Sequence, residues 1–254
     1  MAGMRGMKAL PPAGRIVYNH QRFSFISELV QLENAVNYFI INPVAGRRYE
    51  RKKIRKNIGK ALAASKTENH VYETKRAGDG ADFMLRTAAE SAGRAEELRF
   101  YFCGGDGTVM EAAGAFMKLP EELRKRAAVG IIPIGTGNDF IRNFGGAKAF
   151  LDIGRQLRGE AVGADLMRFT RDGEVSYGAN MFNIGFDCQV VKKVNEMRDR
   201  PFMTQKTAYP AGVVHTLVKY PHTELSLEFD SGETHTFEKN EIACVRLDDF
   251  NDNF

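Results

Sequence analysis

The run FYFCGGDGTVMEAAG, residues 100–114, sets one aspartate, Asp106, between glycines directly after an apolar stretch. A strand that feeds a glycine-rich turn and then a helix points unpaired backbone N–H groups, backed by the helix dipole, at whatever lies beyond the strand's end. Phosphate is the natural ligand of such a turn. Gly104, Gly105 and Gly107 carry no Cβ and can take positive φ, so an anion can reach the main chain, and Thr108 can cap the helix. A carboxylate beside phosphates is repelled unless it holds Mg²⁺ or accepts a proton from an attacking hydroxyl. Asp106 therefore points to phosphoryl transfer. Taken alone the run reads equally as a tight turn, because glycine and aspartate favour turns for local reasons. Neither GxGxxG nor GxxxxGK[ST] occurs at a strand exit.

The elements around this turn decide between the two readings. NYFII ends at Asn42 and Pro43, and a helix follows from about Glu50 with Ile54, Ile58, Ala61 and Leu62 on one face. NHVYET precedes a turn and a helix carrying Ala81, Met84, Leu85 and Ala88. LRFYFC leads into the glycine turn and a helix from Thr108 to about Lys118, and AVGIIPI follows. Strands alternating with helices of this length predict a doubly wound α/β domain with a mainly parallel sheet. Its carboxyl edge would gather three loops, INPVAGRR, CGGDGT and PIGTGNDFIRNFG, into one crevice. After the predicted helix GAKAFLDIGRQLRG the pattern turns to strands: AVGADLMRFT, VSYGANMFNIG, TELSLEFD, THTFE and EIACVRL, interrupted by the helices DCQVVKKVNEM and AGVVHTLVKY. The expected division is an extension over 1–36 outside the fold, an α/β domain over 37–160, and a mostly antiparallel β domain over 161–254.

NPVAG, GGDGT and PIGTGNDF, in this order and spacing, resemble the signature of the diacylglycerol kinase catalytic-domain family, a family of lipid kinases. GADLMRF and FNIGFDCQVV are similar to that family's segments leading into and back from the β domain, so the resemblance spans about residues 37–245. It implies an ATP- and Mg²⁺-dependent lipid kinase that moves the γ-phosphoryl group to a hydroxyl of diacylglycerol or a similar lipid. Carried over by position, it implies an ATP site lined by Asn42, Pro43, Val44, Ala45 and Gly46 of the first loop, with Thr74 beside them. From the second loop it takes Gly104, Gly105, Asp106, Gly107, Thr108, Val109 and Met110. From the third it takes Gly135, Thr136 and Gly137, supported by Asn138 and Asp139. Asp106 would face nucleotide-bound Mg²⁺ or the acceptor hydroxyl as the catalytic residue. NAD kinases resemble the GGDGT loop as well, and PIGTGNDF separates this chain from them. The resemblance further implies about fifty residues beyond EIACVRL, including a glycine-rich strand and an acidic turn. The β domain is therefore expected to be incomplete, and lipid phosphorylation by this chain to be weak. The alternatives are an NAD kinase-like small-molecule kinase and a non-catalytic truncated pseudo-kinase.

Composition narrows the remaining choices. The chain has 254 residues, 43% hydrophobic and 27% charged, with a net charge of +4 that suits anionic partners without requiring nucleic acid. No apolar run is long enough for a bilayer, and the first fifteen residues hold no signal-peptide core. A cytoplasmic protein, peripheral at the inner membrane face, is expected, with homodimerisation left open. Cys103, Cys188 and Cys244 lie among apolar neighbours and read as buried thiols. His20, His70, His215, His222 and His235 show no metal-ligand spacing. Eight basic residues lie between Arg47 and Lys60 against the single acid Glu50. They suit a solvated helix face and also docking on anionic lipid. Asp187 reads first as the cap of the helix that follows it, the alternative being a part in organising the site across the cleft.

Overall fold

The computed structural model describes residues 7–8, 14–29, 35–94, 96–135, 137–171, 173–184, 186–198, 205–218, 225–228, 234–237 and 243–246. In chain order the elements begin with β1 (Met7–Lys8), β2 (Gly14–Leu29), β3 (Ala35–Ile41), α1 (Arg48–Ala64), β4 (Glu68–Glu73), α2 (Asp79–Glu90) and β5 (Glu97–Gly104). Next come α3 (Asp106–Lys118), α4 (Glu121–Arg124), β6 (Ala127–Pro133), α5 (Ala147–Phe150), α6 (Ile153–Leu157) and β7 (Gly159–Arg171). The last are β8 (Glu174–Gly178), β9 (Met181–Ile184), α7 (Phe186–Arg198), α8 (Gln205–Val218), β10 (Leu225–Glu228), β11 (Thr234–Phe237) and β12 (Ala243–Arg246).

One unit comprises His20–Met167 and Tyr177–Asn180. Its strands run β2, β6, β5, β3, β4 across the sheet, and every one of these pairs is parallel. The apolar runs of β3, β5 and β6 are buried almost throughout, as a sheet covered on both faces requires. Alternation assigns the two faces. Tyr38, Ile40, Phe100 and Phe102 pack against Met84 and Ala88 of α2 and against Val109, Ala112 and Phe116 of α3. Phe39, Ile41, Tyr101 and Cys103 pack on the other side against Ile54 and Ile58 of α1 and Ile153 of α6. Each fully buried aromatic or aliphatic side chain contributes about 1.5–3 kcal/mol. The sheet is thus doubly wound. Its register pairs Ile41 with both Glu73 and Cys103, and Gly104 with Pro133, so the connections after β3, β5 and β6 leave the sheet at one level.

The other unit comprises Met1–Asn19, Arg168–Ser176 and Met181–Asp249. Its strand pairs are antiparallel: β1 with the start of β2 and with β10, β10 with β11, and β9 with β12. Helices α7 and α8 pack on each other, and Val190 and Thr216 are buried on them. Gly212 makes the close approach possible, since a Cβ there would stand 2.6 Å from Val194 Cγ2.

Several boundaries differ from the sequence pattern for identifiable reasons. Residues 14–29, expected outside the fold, form β2, which sets Phe25 opposite Val129 of β6. The predicted helix over 146–159 is two short helices, because the Asp152 side chain accepts the Arg155 N–H at 2.9 Å and starts α6 afresh. The predicted strand over 175–185 is two strands in different sheets, interrupted at Ala179 and Asn180. Asp187 is the second residue of α7 and not the residue before it, so it is not the N-cap. Cys103 is buried as expected, whereas Cys188 is exposed on α7; the side chain of Cys244 lies outside the described residues.

Candidate functional site

The three loops meet at the carboxyl edge of the parallel sheet through main-chain contacts, several of which need glycine. The Asn42 N–H donates to the Cys103 carbonyl at 3.0 Å, and the Ile134 and Gly135 N–H groups donate to the Gly104 carbonyl at 2.9 and 3.2 Å. A Cβ on Gly135 would stand 2.5 Å from Gly105 Cα, and one on Gly46 would stand 1.8 Å from the Ile134 carbonyl oxygen. Gly46 also has φ +65, so both its conformation and its surroundings demand glycine. Gly104, Gly105 and Gly107 do not have positive φ, contrary to the reason given for them in the sequence. Gly104 is needed because the Thr108 side chain folds over it, with Oγ1 2.0 Å from where a Cβ would be. Thr108 is therefore not the cap of α3: Gly105 occupies that position, with φ −109.

The first loop is held by its own side chains. Asn42 Oδ1 accepts the Val44 N–H at 3.1 Å, and the Arg51 guanidinium donates to the carbonyls of Ala45 and Gly46 at 3.3 and 2.7 Å. Arg51 thus braces the loop and is half-buried, whereas Lys52, Lys53, Lys56 and Lys60 are exposed. Arg55 pairs with Glu73, whose carboxyl the guanidinium holds below its ordinary range.

Asp106 reaches across to the third loop. Its Oδ2 accepts the Asn138 N–H at 2.7 Å, and its Oδ1 accepts the N–H groups of Asp139 at 2.7 Å and Phe140 at 3.3 Å. Asn138 adopts φ 56 and donates its Nδ2 to the Gly135 carbonyl at 2.7 Å, while Asp139 pairs with Arg142 at 2.9 Å. Thr136, expected on this loop, lies outside the described residues.

Three helices begin at this edge, and their N-termini are not equivalent. At α1 the Glu50 carboxylate accepts the Arg47 N–H at 2.8 Å. At α2 the Glu111 carboxylate, sent over from α3, accepts the Ala81 N–H at 2.9 Å. Asp79 accepts the Lys75 N–H at 2.7 Å and the Tyr72 hydroxyl at 2.9 Å, and these bonds hold its carboxyl below the usual range. At α3 no side chain caps the helix. An incoming anion meets a carboxylate on the first turn of α1 and of α2, while at α3 the one acid, Asp106, is turned to the third loop.

The remaining expected residues divide by position. Thr74 donates its N–H to the Ile41 carbonyl at 3.0 Å, which sets the end of β4 beside the first loop. Pro43 is half-buried, Val44 is 82% exposed, and Ala45 packs on the core beneath. Val109 is buried in the core against the sheet, so its side chain does not line a site. Met110 packs partly on the same core, and its sulfur accepts the Ala179 N–H at 3.3 Å. Glu50, Arg51 and Glu111 are the bracing residues that the loop motifs did not include. A signal existed for one of them, since Glu50 sits three residues beyond Arg47, the spacing of a reciprocal helix cap. Among the described residues, no group of three or more His, Cys, Asp or Glu side chains is placed to hold a metal ion.

A doubly wound sheet with glycine-packed loops on its carboxyl edge, followed by antiparallel strand pairs, is the arrangement of the diacylglycerol kinase-like fold. Residues 37–169, just over half of the chain, match the diacylglycerol kinase catalytic domain, and the chain belongs to that family of lipid kinases. A probable lipid kinase YegS-like protein of Yersinia enterocolitica is 33% identical over 143 residues, covering 56% of this chain and 45% of that protein. The eye-specific diacylglycerol kinase of Drosophila melanogaster is 40% identical over 67 residues, covering 26% of this chain and 5% of that protein. A crystal structure of a diacylglycerol kinase from Bacillus anthracis superposes with a TM-score of 0.54 at 20% identity, over 85% of this chain and 65% of that one. The chain therefore spans less than half the length of the two sequence relatives.

Proposed function

We propose that the three loops bind MgATP and that the protein transfers its γ-phosphoryl group to a hydroxyl of diacylglycerol or a lipid like it. The observation that carries this reading is the contrast between the helix N-termini: α1 and α2 present carboxylates, and α3 presents uncapped N–H groups behind a Cβ-free turn. The fit to a nucleotide phosphate rests on that turn, because a Cβ on Gly107 would enter open space at the start of α3, whereas Gly104, Gly105 and Gly135 let the loops themselves pack closely around it. Bound Mg²⁺ would neutralise phosphate charge during transfer. The ion is proposed to arrive with the nucleotide, as MgATP. The protein's own part is then to fix the phosphates with main-chain N–H groups and to hold the three loops at one level. Positioning of this kind supplies much of the catalysis in phosphoryl transfer.

The acceptor reading follows from the family and from surface charge. Helix α1 buries Ile54 and Ile58 and exposes Lys52, Lys53, Lys56 and Lys60, a face suited to anionic lipid headgroups. Each such residue near a membrane contributes about 1 kcal/mol. Among the described residues no helix is long and apolar enough to cross a membrane.

The test is transfer of labelled γ-phosphate from ATP to diacylglycerol in detergent mixed micelles, beside vesicles that lack the acceptor. Label in phosphatidic acid, dependent on both diacylglycerol and Mg²⁺, is the expected result. Label that appears only in a water-soluble product would move the acceptor to a small molecule.

A further inference from the structure

We infer that Asp106 is a positioning residue: its carboxylate is the internal anion around which the third loop folds, and it acts on the nucleotide through that loop. The inference rests on the proposed nucleotide site and adds to it.

Three consecutive main-chain N–H groups, those of Asn138, Asp139 and Phe140, converge on the two Asp106 oxygens at 2.7, 2.7 and 3.3 Å. Convergence of this kind requires a left-handed residue next to a right-handed one, and the loop has both, with Asn138 at φ 56 and Asp139 at φ −71, ψ −36. Such concavities bind anions, and here the anion is supplied from within the chain. Left-handed backbone is unfavourable for a residue with a Cβ, so the loop needs compensating contacts. The Asp106 carboxylate supplies charge-assisted bonds, and the Asn138 side chain adds its bond to the Gly135 carbonyl. Gly137 completes the fit: a Cβ there would lie 2.7 Å from Asp106 Oδ2.

The arrangement also removes the conflict between a carboxylate and a neighbouring phosphate. Donors surround the Asp106 charge on the loop side, and the start of α3, where Asp106 is the first helical residue, is left to the ligand. Oδ1 is engaged with two N–H groups and Oδ2 with one, so the carboxylate serves as a clasp on the loop.

The experiment uses the full chain and two variants. Asp106→Ala removes the anion, and Gly137→Ala keeps it but forces it off the loop. In each, amide hydrogen exchange is followed at residues 138–140, and MgATP affinity is measured by calorimetry, with and without millimolar formate. Both variants should exchange faster at these amides and bind MgATP about 10-fold more weakly or worse, the scale of a lost charge-assisted bond. Formate should restore protection and affinity in Asp106→Ala only, since it can take the empty anion position there. Unchanged exchange in Asp106→Ala overturns the inference, as does unchanged MgATP affinity in a variant whose loop exchanges faster. A parent chain indifferent to MgATP removes the nucleotide reading instead, and exchange and formate rescue then decide the clasp by themselves.

Discussion

At the scale of single residues, glycines that look alike in the sequence have different jobs, and substitution separates them. Gly46→Ala must bear both a left-handed φ of +65 and an overlap with the Ile134 carbonyl oxygen, so it should lose about 2 kcal/mol or more in denaturant unfolding. Gly107 is the opposite case. It lies in the first turn of α3 without positive φ, and a Cβ there meets nothing within 4 Å. Gly107→Ala should therefore stabilise the ligand-free protein by about 0.5–1 kcal/mol while weakening MgATP binding, because the open space is where phosphates are proposed to sit. Tighter or unchanged nucleotide binding by that variant would put the phosphates elsewhere. Gly105→Ala is intermediate: its φ of −109 suits alanine, and the new Cβ would press on Gly135 Cα at 3.2 Å. Residue type revealed that the main chain is approached closely here. It did not reveal by what, because another loop and a ligand leave the same demand for a missing Cβ.

At the scale of elements, strand and helix order was legible because β3, β5 and β6 are continuous apolar runs and α1 and α2 keep a clear buried stripe. Breaks set by one side chain were harder to see, as with the Asp152 cap that divides α5 from α6. So was β2, whose place beside β6 depends on pairing with a strand a hundred residues away. The basic helix shows how position refines composition. Arg51 braces the first loop, so the membrane proposal belongs to Lys52, Lys53 and Lys56. Changing these three to glutamate should weaken attachment to anionic vesicles, most strongly at low salt, and leave MgATP affinity unchanged. Equal vesicle binding by variant and parent would assign the face to solvation. The β4–α2 turn makes a pH prediction. Hydrogen bonds from the Lys75 N–H and the Tyr72 hydroxyl lower the pKa of Asp79, so its folded value lies beneath the unfolded one of about 3.9. The stabilisation is then complete above that unfolded value and disappears as pH falls through the folded one. Asp79→Asn should melt below the parent at pH 7, and the gap should close in strong acid. A gap independent of pH would mean that the turn does not sense the charge.

At the scale of the whole molecule, the crossovers that place α1 on one sheet face and α2 and α3 on the other deliver all the loops to one edge. If MgATP binds only the folded state, 100 times its dissociation constant should add about 2.7 kcal/mol of stability, read as a rise in melting temperature. A melting temperature indifferent to millimolar MgATP would remove the nucleotide site. The buried heart of the sheet offers a second way to follow the same event. Cys103 is fully enclosed between the sheet and α1, and burial pushes its thiol well above the ordinary cysteine range. In the folded protein it is chemically silent. It can meet an alkylating reagent only when the sheet comes apart, so site-resolved labelling of Cys103 measures how often this sheet opens. The chain thus carries its own stopwatch, sealed one residue before the glycine turn, and any ligand that closes the three loops should slow it.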